Sequence, residues 1–254
     1  MANTTTLQRT DNRCRRLTMA TTRTITNAWK YRHLPNIFYE QMILAEEPVV
    51  QERALDTIKR LLVEFFEGRP DVFVSGAFYI CYDITDGNRR LQPDCIIAFD
   101  VDAEAVRYNL PNYWIWEVGK PPDFVIEIAS PSTAANDLGR KRDLYAELGI
   151  TEYWRFDPTG GDLYGQPLTG ERLVGGEYQP YELHKEADGS VRGYSELIGI
   201  DFHWDGKEFD VLDPATGETI DKRVAAEQRA ATAEARNREL LEEIERLRRE
   251  QSER

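Results

Sequence analysis

The sequence predicts an α/β fold: a mixed sheet flanked by helices, an antiparallel β extension, and a long C-terminal helix or coiled coil. Three stretches predict it. Residues 123–141, DFVIEIASPSTAANDLGRK, read as a buried strand, a tight polar turn and the start of a helix. Phe124–Ile128 is apolar and β-branched on both faces, the mark of a central strand covered on both sides. Residues 158–220 alternate short aromatic and β-branched runs with Thr-Gly-Gly, Gly-Gly-Glu, Asp-Gly-Ser and Asp-Gly-Lys turns, which reads as antiparallel hairpins. Residues 220–254 carry a helical pattern with charges on most positions.

Taken in order, residues 1–33 are rich in Thr, Arg and Asn and hold seven Lys/Arg against one acid. With few large apolar residues they read as a disordered basic tail, or as a segment ahead of a true start at Met19. The core is expected over 34–157, its β extension over 158–220 and the terminal helix over 221–254. Residues 50–68 predict a helix: Ala54, Ile58, Leu61 and Phe65 form a stripe, Leu55, Leu62 and Phe66 widen it, and Gly68 is a C-cap signal. Val72–Asp83 reads as a strand, and Asp86-Gly87 as a hairpin turn. Pro93 opens another strand over 93–101, with Asp94 its first polar residue. Asp94 fits either a turn after proline or a functional carboxylate. Residues 102–122 read as a long connection whose Tyr113, Trp114 and Trp116 either cap the core or stack on a ligand. A helix follows the 130–133 turn and ends at Gly149, and TEYWRFD over 151–157 is a further strand.

The terminal helix places Ala226, Ala233, Leu240 and Leu247 at d and Ala230, Asn237, Ile244 and Gln251 at a. This spacing suits a coiled-coil homodimer, with Asn237 fixing register; a single solvated helix fits the Ala-rich half equally well.

Charge narrows the partners. The tail is basic and residues 221–254 balance nine charges of each sign, so the middle holds 16 basic and 35 acidic residues. Such a body argues against broad polyanion binding but fits carboxylates gathered around a divalent cation. Cys14, Cys81 and Cys95 form no disulfide framework, and His33, His184 and His203 show no zinc spacing, so a reducing, cytoplasmic setting is expected. No apolar run approaches a membrane span.

Two residues stand out against apolar surroundings. Glu127 sits inside the buried strand, where an ionised carboxylate is costly unless paired or metal-bound. Leu138, Lys141, Tyr145 and Leu148 share one helix face, so Lys141 lies on the surface that packs on the sheet. An ion pair fixing helix to strand explains them; so does a site. With Asp94 on a neighbouring strand, two carboxylates and a lysine suit phosphodiester hydrolysis around Mg²⁺ or Mn²⁺. The Ile128 carbonyl is a further possible ligand. Ser130, Ser132 and Thr133 either cap the helix or hold an anion at its N-terminus.

Pro93-Asp94, EIASPST over 127–133 and the D-x3-K-x3-Y of 137–145 followed by EYWRFD resemble the Uma-two family of restriction-endonuclease-like proteins, within the PD-(D/E)xK nuclease superfamily. The resemblance covers roughly residues 35–220 and is most specific over 93–157. It implies a restriction-endonuclease-like core, with Asp94 and Glu127 as metal ligands, Lys141 as the catalytic lysine and DNA as substrate. The superfamily pattern puts lysine two residues after the second acid, where this chain has Ala129, so Lys141 stands in from the helix. Arg140, Arg142, Arg89, Arg90 and Lys120 are the nearby candidates for phosphate contact, with Ser130 and Ser132. The alternatives are a non-catalytic nucleic-acid or assembly module on the same fold, and a sugar hydrolase using the two acids as an acid/base pair.

Overall fold

A computed structural model describes residues 49–252, so the expected tail and the first expected core residues, 34–48, lie outside the described part. The chain runs α1 (Val49–Phe65), β1 (Val72–Gly76), β2 (Ile80–Cys81), β3 (Arg90–Leu91), β4 (Cys95–Phe99), α2 (Ala103–Asn109), β5 (Tyr113–Trp114), α3 (Ile115–Val118), β6 (Phe124–Ile128), α4 (Ala134–Leu138), α5 (Arg140–Leu148) and β7 (Glu152–Phe156). It continues through β8 (Leu168–Val174), β9 (Glu177–Pro180), β10 (His184–Lys185), β11 (Val191–Ser195), β12 (Ile200–Trp204), β13 (Phe209–Leu212) and α6 (Ile220–Ser252).

A six-stranded sheet, in the order β1-β4-β6-β7-β8-β9, is the frame. Its pairs are antiparallel except β6 with β7, which α4 and α5 join as a crossover. Period-two alternation distributes the side chains of the central strands between two cores. Cys95, Ile97, Phe124, Ile126, Trp154 and Phe156 face α1 and a second, four-stranded sheet of β10–β13. Ile96, Ala98, Val125 and Tyr153 face α2, α5 and the small sheet β3-β2-β5. The expected β extension therefore divides: β8 and β9 continue the main sheet, and only β10–β13 form a layer of their own.

Helix α1 follows the expected stripe. Ile58, Leu61 and Leu62 are fully buried at i, i+3 and i+4, and Gly68 adopts φ +79° beyond the helix end. Each such aliphatic side chain contributes about 1.5–3 kcal/mol on burial.

Three local expectations need correction. The strand expected over 72–83 is two strands in two sheets. The chain leaves the main sheet after Gly76, with Ala77 at φ +51° and its N–H on the Asp94 carbonyl at 2.9 Å, so that β2 can pair with β5. The connection over 102–122 holds α2, started by the Asp102 carboxylate accepting the Ala105 N–H at 2.9 Å, then β5 and α3. Its Tyr113 and Trp114 are buried and close the core. The helix expected to run continuously before Gly149 is broken at Gly139 (φ −121°, ψ −100°) into α4 and α5. The break rotates Leu138 out of the stripe; it is 42% exposed, while Lys141 and Tyr145 stay buried.

Helix α6 starts at the buried Ile220, where it meets α1 and β13, and Leu240, Leu241 and Ile244 farther along it are exposed. No helix among the described residues is long and apolar enough to cross a membrane.

Candidate active site

The strand ladder brings the two acids together. Cys95 pairs with Ile126, and continuing that antiparallel register by one residue sets Asp94 across from Glu127. Both side chains then fall on the α5 side of the sheet by alternation. Asp94 is half-buried, and its Oδ2 accepts the Ile128 N–H at 2.7 Å. This bond fixes the Asp94 carboxylate at the end of β6, beside Glu127.

Glu127 is 1% exposed. Its Oε1 accepts the Lys141 ammonium at 2.9 Å and the Tyr145 hydroxyl at 2.6 Å. Lys141 and Tyr145 are i and i+4 on α5, which stacks both donors over one strand position. Lys141 also contacts Asp137 Oδ1 at 2.8 Å, so one ammonium bridges two carboxylates. Asp137 is fully buried; its Oδ2 accepts the Tyr164 hydroxyl at 2.8 Å and its carbonyl accepts the Tyr153 hydroxyl at 2.9 Å.

The electrostatics follow from this crowding. Burial pushes the Glu127 carboxyl well above the ordinary carboxylate range; Lys141 opposes the rise, while Asp94 and Asp137 add to it. Burial alone would lower Lys141, but Glu127 and Asp137 outweigh it and hold the ammonium above its ordinary value. Tyr145 is driven far up by burial and by Glu127, so its hydroxyl keeps the proton it donates to Glu127.

The remaining predicted residues have separate partners. The Ile128 carbonyl accepts Gln51 Nε2 of α1 at 3.3 Å. Ser130 is buried and shares hydrogen bonds with Ser132 Oγ at 3.0 Å and Thr133 Oγ1 at 2.8 Å. Ser132 and Arg140 are exposed. Arg142 places its guanidinium on Glu171, at 2.8 Å from Nη2, and on the Tyr178 carbonyl at 3.1 Å. Lys120 is bound to Asp123 and the Phe99 carbonyl, Arg89 lies 3.5 Å from Asp83, and Arg90 lies over the Tyr79 ring. Cys81 and Cys95 are buried, which pushes their thiols up to about 11 and about 12; neither is a nucleophile at neutral pH.

Sequence reasoning gave no role to Gln51, Tyr164 or Asp137, the last of which it noted only as the first residue of the 137–145 motif. Asp137 carried a signal, since it stands four residues before Lys141 and one helical turn would bring them together. Gln51 reads as one more polar residue on an amphipathic helix, and Tyr164 arrives from a turn-rich loop whose path only the fold sets.

The donor set can be tested against a divalent cation. Among the described residues no three His, Cys, Asp or Glu side chains form a ready cage. Asp94 and Glu127 face each other across the β4–β6 ladder, and carboxylate oxygens of this kind suit Mg²⁺ or Mn²⁺, which take one or two carboxylates and fill the rest of the shell with water, whereas the Ile128 carbonyl is held by Gln51.

Three antiparallel strands, a helical crossover and a fourth strand parallel to the third, with helices on the sheet faces, make this a mixed α/β protein of the layout the sequence predicts. The chain belongs to the Uma2 family, described as "Putative restriction endonuclease", whose model matches residues 37–196. A similar solved structure is that of "a putative nuclease belonging to DUF820" from Anabaena variabilis ATCC 29413. The two are 13% identical, with a TM-score of 0.43 over 66% of this chain and 88% of that one. No curated protein matches the chain.

Proposed function

We propose that this protein is a divalent-metal-dependent endonuclease that hydrolyses DNA phosphodiester bonds. The observation that carries the reading is the Lys141 ammonium, 2.9 Å from Glu127, on the strand position that faces Asp94. Family membership supports the same reaction class.

Asp94, Glu127 and the Ile128 carbonyl would hold Mg²⁺ or Mn²⁺. A divalent ion bound there supplies a coordinated water of lowered pKa and neutralises charge on the phosphate. Lys141 holds a fixed positive charge beside that centre, orienting the attacking water and offsetting charge as the phosphorus becomes five-coordinate. Tyr145 holds Glu127 Oε1 in place by donating to it. Arg140 and Ser132, exposed at the crossover, are the proposed phosphate contacts, with Ser130 shaping the turn beneath them. Arg142 ranks below them because its guanidinium would have to leave Glu171. The exposed heptad positions Ala226, Ala230, Ala233, Asn237, Leu240 and Ile244 support a second copy of the chain as partner through a coiled coil.

The test is nicking of supercoiled plasmid with Mg²⁺ or Mn²⁺, with and without EDTA. Nicking should stop in EDTA and in Glu127→Gln and Lys141→Met, while circular dichroism shows both variants folded. Cleavage that survives EDTA would instead favour acid/base hydrolysis. DNA binding without cleavage in the wild type would leave the non-catalytic module.

A further inference from the structure

We infer that Asp137 is a positioning residue: a second buried acid, pinned by Tyr164, that holds the Lys141 ammonium at the Asp94–Glu127 centre. The inference rests on the nuclease reading for its catalytic consequence but not for its geometry.

A lysine side chain is a point charge on a long flexible stem, and one hydrogen bond does not fix it. Glu127 is also a poor sole anchor. Both of its described hydrogen bonds fall on Oε1, which it divides between Lys141 and Tyr145. A divalent cation held by Glu127 would compete with the ammonium for the carboxylate charge and would repel Lys141. Asp137 supplies a second hold, 2.8 Å from the ammonium, from a residue that is not on the strands carrying the two acids.

The rest of the structure fixes Asp137 in turn. It lies in the last turn of α4, one residue before Leu138 ends the helix, so its side chain meets Lys141 of α5 across the break at Gly139. Its second oxygen takes the Tyr164 hydroxyl. Tyr164 is held by a loop built on Asp157, whose Oδ2 accepts the N–H groups of Leu163 at 2.7 Å and Tyr164 at 2.8 Å, and whose Oδ1 accepts Thr159 Oγ1 at 2.6 Å. The loop after β7 thus reaches back to the crossover. A buried carboxylate contributes little to stability compared with an apolar side chain of its size, so this chain of contacts points to placement of the ammonium.

The test uses the full chain in Asp137→Asn and Tyr164→Phe, with two readouts. The first is plasmid nicking at saturating Mg²⁺, resolved into kcat and KM. The second is the rate of reductive methylation at Lys141, read by mass spectrometry, which needs no catalysis. We expect kcat to fall about 10–100-fold in Asp137→Asn, the range for loss of an outer-shell partner, with KM unchanged. Tyr164→Phe should fall by a smaller factor in the same direction. Lys141 should be methylated several-fold faster in both. Unchanged kcat and unchanged methylation in a folded Asp137→Asn would overturn the inference, as would activity that falls only in step with the folded fraction. If Asp137→Asn does not fold, Tyr164→Phe, which removes a single hydroxyl, decides by the same criteria. If the wild type does not nick, the nuclease reading fails by itself, and the methylation rates still decide whether Asp137 holds Lys141.

Discussion

Glu127 and Glu152 are two buried glutamates on adjacent parallel strands, each 1% exposed, and their surroundings are opposite in kind. Glu152 faces the second sheet. It accepts Trp154 Nε1 at 2.9 Å and Ser195 Oγ at 2.6 Å on Oε2, and the Leu197 N–H at 2.8 Å and the Tyr181 hydroxyl at 2.7 Å on Oε1. All four donors are neutral and come from three segments. This carboxylate staples the layers together, with both oxygens satisfied. Glu127 faces α5 instead, with its described bonds on one oxygen, a cation as one donor and Asp94 opposite. Burial alone does not mark a functional acid. What separates the two is whether neutral donors saturate the carboxylate or another charge shares it.

The largest effect should come from removing the shared charge. Lys141→Met leaves Glu127 and Asp137 buried without their cation, and breaking a buried pair this way costs about 3–5 kcal/mol. Pairing it with Glu127→Gln should return part of that loss, so a double-mutant cycle in urea should show coupling. Additive effects would mean the two side chains do not share a charge. Glu152→Ala removes an acceptor from four donors and should cost about 2–4 kcal/mol by the same urea measurement, from donors left unpaired at about 1–3 kcal/mol each before relaxation. Its nicking rate should stay at the wild-type value per folded molecule, opposite to Glu127→Gln.

Packing around the staple gives a smaller effect. A Cβ at Gly170 would lie 2.6 Å from the Trp154 ring, and one at Gly193 would meet both Leu183 and Trp154. Gly170→Ala should therefore destabilise by about 1–3 kcal/mol through overpacking, read as a lower Tm with unchanged nicking.

A third glutamate sharpens the contrast through pH. Glu171 holds Arg142 and Arg155, with Arg155 Nη1 at 2.7 Å. Burial would raise its carboxyl, but the two guanidinium groups win and hold it below the ordinary value. A depressed folded-state pKa means stability that is fully present above the unfolded value, about 4.3, and lost as pH falls through the folded one. Glu171→Gln should flatten the fall in Tm below about pH 4.3. An identical acid limb in the variant would show that the pair contributes nothing there. The smallest effect belongs to the surface: Arg140→Ala should weaken DNA binding a few-fold and lower the slope of log affinity against log salt by about 1.

The sequence by itself determined the kinds of element and their buried faces. The apolar run of 124–128, the stripe of α1 and the turn signals after 158 each express a local preference that tertiary packing had no reason to override. It also determined that Glu127 and Lys141 sit on apolar surfaces, because alternation and helical period are properties of the backbone. Tertiary structure decided which of these surfaces meet. That Asp94 stands opposite Glu127 depends on strand register, and register is a pairing choice between segments about thirty residues apart. That Leu138 leaves the stripe depends on the Gly139 break, which an unbroken helical period hides. That Tyr164 reaches Asp137 from 27 residues away depends on how the loop after β7 folds back. Contacts of that kind are set by the path of the chain in space, and no local pattern in the residues encodes them.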